Sequence, residues 1–470
     1  MTDTILHPDR LFPPDPAVRS LARSLYEDIA NLPIVSPHGH TDPQWFAQNQ
    51  PFSDAASLFL TPDHYVLRLL RSRGIAYDAL GVPRKDGAPV ADARSAWRTL
   101  CNHWRLFAGT PSELWLAHSL SRYFGIDQPL SSQTADQTFD AINARLADPA
   151  LRPLAILDAA NVEVIATTEF ALDGLEHHKA ITANGLGARI RTTYRPDDIT
   201  DPDAAGFAQN LQHLSDLTGE NTALWSGLIK AHGTRRAFFR AHGATATDHG
   251  VPSAMTADLA GHEKQALLDG ALAGTLDAGQ AEQFRAQMLT EMAGLSAEDG
   301  MVMQIHAGSH RATDPWLQAT HGRNLGDDIP TRTNFVDGLA ALLARYGNAN
   351  NFRLIAFTLD ESTYARELAP MAGYWPALMV GPPWWFHDSP NGIRRYLDAM
   401  HESAGFHNLA GFNDDTRALL SIPARHDVWR REISGFLAGL VAQHRITRST
   451  AAETARWLAY DAAKSAYRLP

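Results

Sequence analysis

Two histidines separated by one glycine, His38-Gly39-His40, follow the short apolar run Ile34-Val35-Ser36-Pro37. In an extended backbone, side chains two apart point to the same side, so both imidazoles face one point while Gly39 lets the backbone approach. Neutral imidazole is the commonest metal ligand, and zinc, manganese or iron would all accept such a pair. With 21 His in 470 residues, chance alone supplies about one pair at this spacing. The surrounding elements must therefore decide between a metal site and a bland loop.

Composition narrows the field. Hydrophobic residues make up 44% and charged residues 20% of the chain, as in soluble globular enzymes and unlike disordered chains. The net charge of −11 disfavours nucleic acid or an anionic membrane as partner, so an anionic substrate would need a local cationic pocket. A single cysteine, Cys101, excludes an intramolecular disulfide and suits a reducing cytoplasm. Met1 to Pro14 carries charges and prolines where a signal peptide needs an apolar core, and no later stretch is long and apolar enough to span a bilayer. The expectation is a cytoplasmic protein with a small-molecule substrate and no nucleic-acid or membrane partner; a homo-oligomer is compatible with the sequence.

The elements that must position the histidines follow in order. Val18 to Ala30 has helical spacing and precedes the opening strand. Helical patterns then run through Asp54 to Leu58, Pro62 to Arg73, Ala91 to Leu106, Ser112 to Phe124 and Thr134 to Ala147. Strand-like runs come at Val162 to Thr168, Ala188 to Tyr194, Gly243 to Asp248, Met301 to His306, Phe352 to Leu359, Ala377 to Gly381 and Leu409 to Phe412, with helices mostly between them. Eight strands alternating with helices predict an α/β fold, a distorted parallel (β/α)₈ TIM barrel over residues 1–470. It would carry an inserted helical lobe at about 43–150, a smaller insertion at about 250–298 and C-terminal helices at Pro423 to His444 and Ala451 to Tyr467. Thr450-Ala451-Ala452-Glu453 reads as a capping box for the last helix.

In such a barrel, catalytic groups sit where strands run into the following loops. Strand one ends in His38 and His40, strand three in Arg195, strand four in Asp248-His249, strand five in His306 and strand eight in Asn413-Asp414-Asp415-Thr416-Arg417. Each has a bland alternative: His306 as a core histidine, Arg195 as a structural ion pair, Asp248 as a turn former, Asp414 as an N-cap. Together, a His pair, another His and a carboxylate at strands one, five and eight point to metal or acid-base chemistry.

The motifs Ser36-Pro37-His38-Gly39-His40, Asp63-His64-Tyr65 with Arg68, Tyr194-Arg195-Pro196-Asp197, Thr247-Asp248-His249-Gly250, Met303-Gln304-Ile305-His306, Trp384-Trp385-Phe386-His387-Asp388 and Asp415-Thr416-Arg417 occur in this order along nearly the whole chain. In these the sequence resembles the uronate isomerases of the amidohydrolase superfamily. It departs at Thr167-Thr168-Glu169-Phe170-Ala171, where many members have Thr-Thr-Asp-Asp-Pro, a difference that bears on substrate choice more than on reaction type.

The resemblance implies an aldose-ketose isomerase acting on a hexuronate: D-glucuronate to D-fructuronate, D-galacturonate to D-tagaturonate, or both. It implies one divalent metal, zinc, on His38, His40 and Asp415, with His306 close by at the substrate. Asp415 would move a proton between C2 and C1 through a cis-enediol, Arg417 would stabilise the enediolate, and Tyr65 would exchange protons with a sugar hydroxyl. Arg195 and His64 are the candidates for the uronate carboxylate, and Trp384 and Trp385 for the pocket walls. The packed alternative for His64 and Tyr65 is the interior of the helical lobe. Two other functions fit the same barrel: a metal-dependent hydrolase of a lactone or amide, which would add water where an isomerase conserves mass, and a sugar-acid binder that never turns over.

Overall fold

The computed structural model describes residues 6–470. Its strands are β1 Ile34–Ser36, β2 Val162–Ala166, β3 Glu169–Phe170, β4 Ile190–Arg191, β5 Tyr194–Arg195, β6 Ala246–Val251, β7 Val302–Ala307, β8 Ser309–His310, β9 Ile329–Pro330, β10 Leu354–Thr358 and β11 Leu378–Val380. They pair as β1-β2-β4 and as β11-β10-β7-β6-β5-β3, all parallel, while β8 and β9 form a small antiparallel hairpin not foreseen from the sequence.

One hydrogen-bond ladder joins the two parallel sheets. Ile165 N donates to Arg189 O at 2.8 Å, Thr167 N to Arg191 O at 2.9 Å, Glu169 N to Thr193 O at 3.1 Å and Ala171 N to Arg195 O at 2.8 Å. Thus β2 with β3 is one strand, and β4 with β5 another, each bent at a threonine pair, Thr167-Thr168 and Thr192-Thr193. Seven parallel positions stand side by side. The eighth, expected from Leu409 to Phe412, is only a bridge between Leu409 and Val380. Gly411, at φ +78°, turns the chain off the ladder and against the backbone of Ala463, where a Cβ would lie 2.6 Å from the nitrogen. His40 N donates to Thr416 O at 3.0 Å and closes the ring between the first and last positions. The architecture is a distorted (β/α)₈ barrel.

The fourth strand begins three residues later than the sequence pattern suggests. Gly243, at φ +96°, still belongs to the preceding turn, so the strand runs on to Val251. Asp248 and His249 consequently sit inside the strand and are buried rather than at a turn.

Between β1 and β2 the chain is helical, from Pro43–Gln48 to Pro153–Ala159. Several helices here start on an aspartate whose carboxylate accepts first-turn N–H groups: Asp42, Asp54, Asp63 and Asp92. Asp63 sets the helix His64–Arg71, so His64 and Tyr65 occupy its first two positions. Helices Gly261–Ala273 and Ala278–Asp299 separate β6 from β7. The buried apolar side chains form two clusters, one centred on the barrel strands and their helices, the other on the helices between β1 and β2.

The helix Ile422–Ala442 is buried along most of its length and carries buried charges. Arg430 donates to the carbonyls of Ala30 (2.7 Å), Leu32 (2.8 Å) and Pro33 (3.0 Å), satisfying the end of the first helix and fixing the lead-in to β1. The last helix starts at Arg448, not at Ala451: Thr447 is the N-cap and accepts from Thr450 N at 3.1 Å, so Thr450 lies inside the first turn. Among the described residues no helix is long and apolar enough to cross a membrane.

Candidate functional site

A cavity of about 630 Å³ lies where the strands run into their loops, and every residue to which the sequence gives a catalytic, substrate or metal role lines it: His38, His40, His64, Tyr65, Arg195, His306, Trp384, Trp385, Asp415 and Arg417. These come from positions as far apart as β1 and the segment after Gly411, so the barrel, not local sequence, brings them together.

Asp415 Oδ1 lies 3.5 Å from His38 Nε2 and 3.2 Å from His40 Nε2, so the two histidines do converge on one carboxylate. Asp415 has φ +40°, a left-handed conformation that costs a non-glycine residue about 1–3 kcal/mol and that surrounding structure must maintain. Gly39 is less demanding than expected: a Cβ there would meet Thr416 O at 3.5 Å and Asp414 Oδ1 at 3.6 Å, ordinary contacts. Burial raises the Asp415 carboxyl, but the His38 and His40 rings outweigh it and hold it below the usual carboxylate range. Burial lowers His38 to about 4, leaving a neutral imidazole at physiological pH.

His38, His306 and Asp415 each offer a ligand atom within 4.8 Å of the others. His40 falls outside this group, and His306, expected only at the substrate, falls inside it. The His306 Nδ1 is 2.6 Å from Asp248 Oδ1, and its Nε2 is buried without a hydrogen-bond partner. A carboxylate on one ring nitrogen orients the lone pair of the other, the arrangement common behind metal-ligating histidines. The ring is fixed by stacking on Phe357 at 4.1 Å and on His38 at 4.8 Å. Two imidazoles, one of them with an orphaned nitrogen, and one carboxylate fit a divalent ion.

Tyr65 and His64 face this cavity and are not interior to the helical segment: His64 lies 4.3 Å from the Trp385 ring and Tyr65 4.6 Å from it, between ring centroids. Trp384 sits edge-on to His306 at 4.9 Å. The two tryptophans do wall the cavity. Burial lowers His64 well below its ordinary value, which favours the neutral ring.

The arginines differ in their commitments. Arg195 donates from Nε to Asp197 at 2.7 Å and pairs through Nη1 with Asp248 at 3.2 Å, so it is both a structural ion pair and a lining residue. Gly250 is required beside it, because a Cβ there would collide with Arg195 Nη2. Burial raises Asp248, yet Arg195 and His306 outweigh it and hold that carboxyl well below the ordinary range. Arg417 lines the cavity with its Nε buried and unpartnered.

The sequence did not single out Arg311, Asn324 and Asp328 as lining residues, nor Asp248 for the role it has. The first three lie on the segment that joins β8 to β9, irregular apart from the short helix Pro315–Thr320. Its Leu325 O accepts from Tyr77 at 2.7 Å, and a Cβ on Gly326 would lie 2.6 Å from His64 O, so it closes on the helix that carries His64 and Tyr65 and on the turn of Tyr77 that follows it. Asp414 is not an N-cap. Its Oδ2 lies 3.2 Å from His426 Nε2 and its Oδ1 is buried without a partner. A wider cavity of about 1230 Å³ adjoins the first through His40, Arg195, Arg311, Asn324 and Arg417, and Thr168, Glu169 and Phe170 of the departing segment line it.

The family model described as Glucuronate isomerase matches residues 17–467. A uronate isomerase of Rhizorhabdus wittichii is 56% identical over 464 residues, covering 99% of this chain and 98% of its own, and one of Phenylobacterium zucineum is 53% identical, covering 99% and 97%. The crystal structure of glucuronate isomerase from Caulobacter crescentus superposes with a TM-score of 0.96 at 51% identity, covering 98% of this chain and 97% of that one. The uronate isomerase structure from Thermotoga maritima gives 0.91 at 27%, covering 98% and 99%.

Proposed function

This chain belongs to the glucuronate isomerase family and isomerises uronates, and from that premise we propose how its residues share the work. Asp415 takes the proton from C2 of the open-chain aldehyde and returns it to C1, through a cis-enediol. The observation that carries this is the placement of its carboxylate: it lines the cavity, ionised, with both histidines on one oxygen.

Arg417, whose Nε has no hydrogen-bond partner among the described residues, faces the negative charge that develops on the enediolate oxygen. Arg195 and His64 meet the uronate carboxylate, Arg195 through Nη2, since Nε and Nη1 hold Asp197 and Asp248. Tyr65 accepts a proton from a sugar hydroxyl. Trp384 and Trp385 exclude water from the reacting carbons.

His38, His306 and Asp415 would hold a divalent ion, and His40, 3.2 Å from Asp415, stands beside them. Imidazoles with one carboxylate suit zinc. When bound, the ion supplies Lewis-acid polarisation of a substrate oxygen.

The test is incubation of the protein with D-glucuronate and with D-galacturonate in deuterated water, followed by NMR. A ketose of unchanged mass apart from deuterium at C1 is the expected product. A product that has gained water, or saturable binding without ketose, would reject the isomerase assignment.

A further inference from the structure

Behind Tyr65 lies a buried ion pair outside the proposed chemistry. The Tyr65 hydroxyl donates to Asp388 Oδ1 at 2.9 Å and Oδ2 at 2.8 Å. Asp388 is in turn gripped by Arg425 Nη1, and the same nitrogen reaches Asp414 O at 3.3 Å. Arg425 is itself fixed: Nε donates to Ser421 Oγ at 2.8 Å and the guanidinium lies 3.6 Å above the Trp115 ring. Four separate segments converge here, all of the side chains buried. Tyr65 lines the cavity, whereas Asp388 stands behind the phenol and off the cavity wall.

A phenol has one proton. With that proton given to Asp388, the oxygen presents only lone pairs to the cavity, so it can accept from a substrate hydroxyl and cannot donate to one. An aldose-ketose conversion must move two protons, the carbon-bound one from C2 to C1 and a hydroxyl proton from O2 to O1. Asp415 accounts for the first. We propose that Asp388 acts through Tyr65 as the temporary store for the second, with Arg425 holding it in place.

From the enediolate, with Asp415 protonated and negative charge on O1, the O2–H bond breaks and its electron pair forms the ketone C2=O. The proton passes to the Tyr65 oxygen as the phenol's own proton passes to Asp388. The C1=C2 pair takes the proton of Asp415 at C1. The proton on Asp388 then returns through Tyr65 to the O1 alkoxide. Asp388 and Asp415 end as they began, both ionised. One phenol can serve both oxygens because O1 and O2 of a cis-enediol are vicinal and on one side. Burial raises the Asp388 carboxyl against the lowering by Arg425, which favours brief protonation of a group that rests ionised.

This rests on Tyr65 meeting the sugar hydroxyls, and the experiment separates the two ideas. Turnover, KM, bound metal and thermal midpoint are measured for Tyr65→Phe, Asp388→Asn and the double variant. Tyr65→Phe and Asp388→Asn should each lower kcat by about 10²–10³ with KM changed less than about threefold, and the double variant should be no slower than the worse single one. Losses that multiply in the double variant, or an Asp388→Asn loss no larger than its loss of folded protein, overturn the store while leaving Tyr65 at the substrate. An unchanged kcat for Tyr65→Phe overturns the Tyr65 reading and the store with it. Should Asp388→Asn fail to fold with Arg425 left unpaired, Asp388→Asn/Arg425→Gln removes both charges and is read against Tyr65→Phe in the same way.

Discussion

Asp248 Oδ1 lies 2.6 Å from His306 Nδ1 and its Oδ2 lies 3.2 Å from Arg195 Nη1, so one buried carboxylate orients both an imidazole of the candidate metal group and a cavity-lining guanidinium. Asp248→Asn should therefore weaken metal affinity by about 10- to 100-fold, as loss of a partner behind a ligating histidine does. His306→Asn and His38→Asn should weaken it more. Titration with zinc under a competing chelator measures this; His306→Asn binding as tightly as the parent would remove His306 from the ligand set.

Asp415→Asn keeps the shape of the carboxylate and can still offer an oxygen to a metal, but an amide cannot carry the proton. In metal-replete protein its kcat should fall by about 10⁴, the upper end for a general base, because one group serves both half-steps. Asp414→Asn is a different perturbation. The His426 contact and the unpartnered buried oxygen make it a stability change of about 1–3 kcal/mol, with turnover per folded molecule retained. Normal turnover in metal-replete Asp415→Asn would sink the mechanism.

Arg417→Met and Arg195→Met should separate by what they leave behind. Arg417 has no ion-pair partner within 4.0 Å among the described residues, so its loss should lower kcat with the thermal midpoint nearly unchanged. Arg195→Met removes a carboxylate partner, at about 2–5 kcal/mol of uronate binding, and also strands Asp197 and Asp248, so it should raise KM and lower the midpoint together. Neutral aldoses should feel the KM effect less. Equal effects on stability from both variants would contradict this division.

Glu169, on β3, is buried, and burial raises its carboxyl from 4.5 to about 7 against the hydroxyls of Thr167 and Thr192. The native state thus binds this proton more tightly than the unfolded chain. The stabilisation is complete below about pH 4.5 and fades as pH rises to about 7. Glu169→Gln, which cannot ionise, should gain on the parent at pH 8 by at most on the order of 3 kcal/mol, and should show no such gain at pH 4.5. Thermal melts at the two pH values decide it; equal gains at both would reject a buried ionisation.

What the sequence revealed of the site follows from which signals are local. His38 and His40 stand two apart just beyond β1, so spacing at the end of an apolar run exposes them, whereas barrel order brings up the whole stretch Asn413 to Arg417 and only the resemblance to the uronate isomerases singles out Asp415 and Arg417 within it. The sequence places Asp248 at the end of the fourth strand but gives it no orienting role, because with burial unknown a residue in Ala246-Thr247-Asp248-His249-Gly250-Val251 reads equally as a turn former. Asp388, although it ends a quoted motif, and Arg425 draw no attention in the sequence because their contacts exist only relative to each other and to Tyr65, which lies 323 residues from Asp388. Six barrel positions were readable from apolar or β-rich runs, and the fourth mainly from its place in the alternation. The eighth failed where Gly411 packs against the C-terminal helix, a tertiary contact that no local pattern carries.

Tyr65 and Trp115 belong to the apolar cluster of the barrel, while Val66, Leu67 and Leu70 of the same helix as Tyr65, and Leu116 and Leu120 of the same helix as Trp115, belong to the other. Each of these two helices is therefore a seam, buried in one body along one face and reaching into the second with a single aromatic ring. Denaturant that loosens the seam should withdraw Tyr65 while His306, on β7 among the strands of the barrel cluster, stays in place. Activity should then disappear before the barrel's secondary structure melts and before metal is released, so the enzyme would pass through an inactive, metal-retaining form on its way to the unfolded chain.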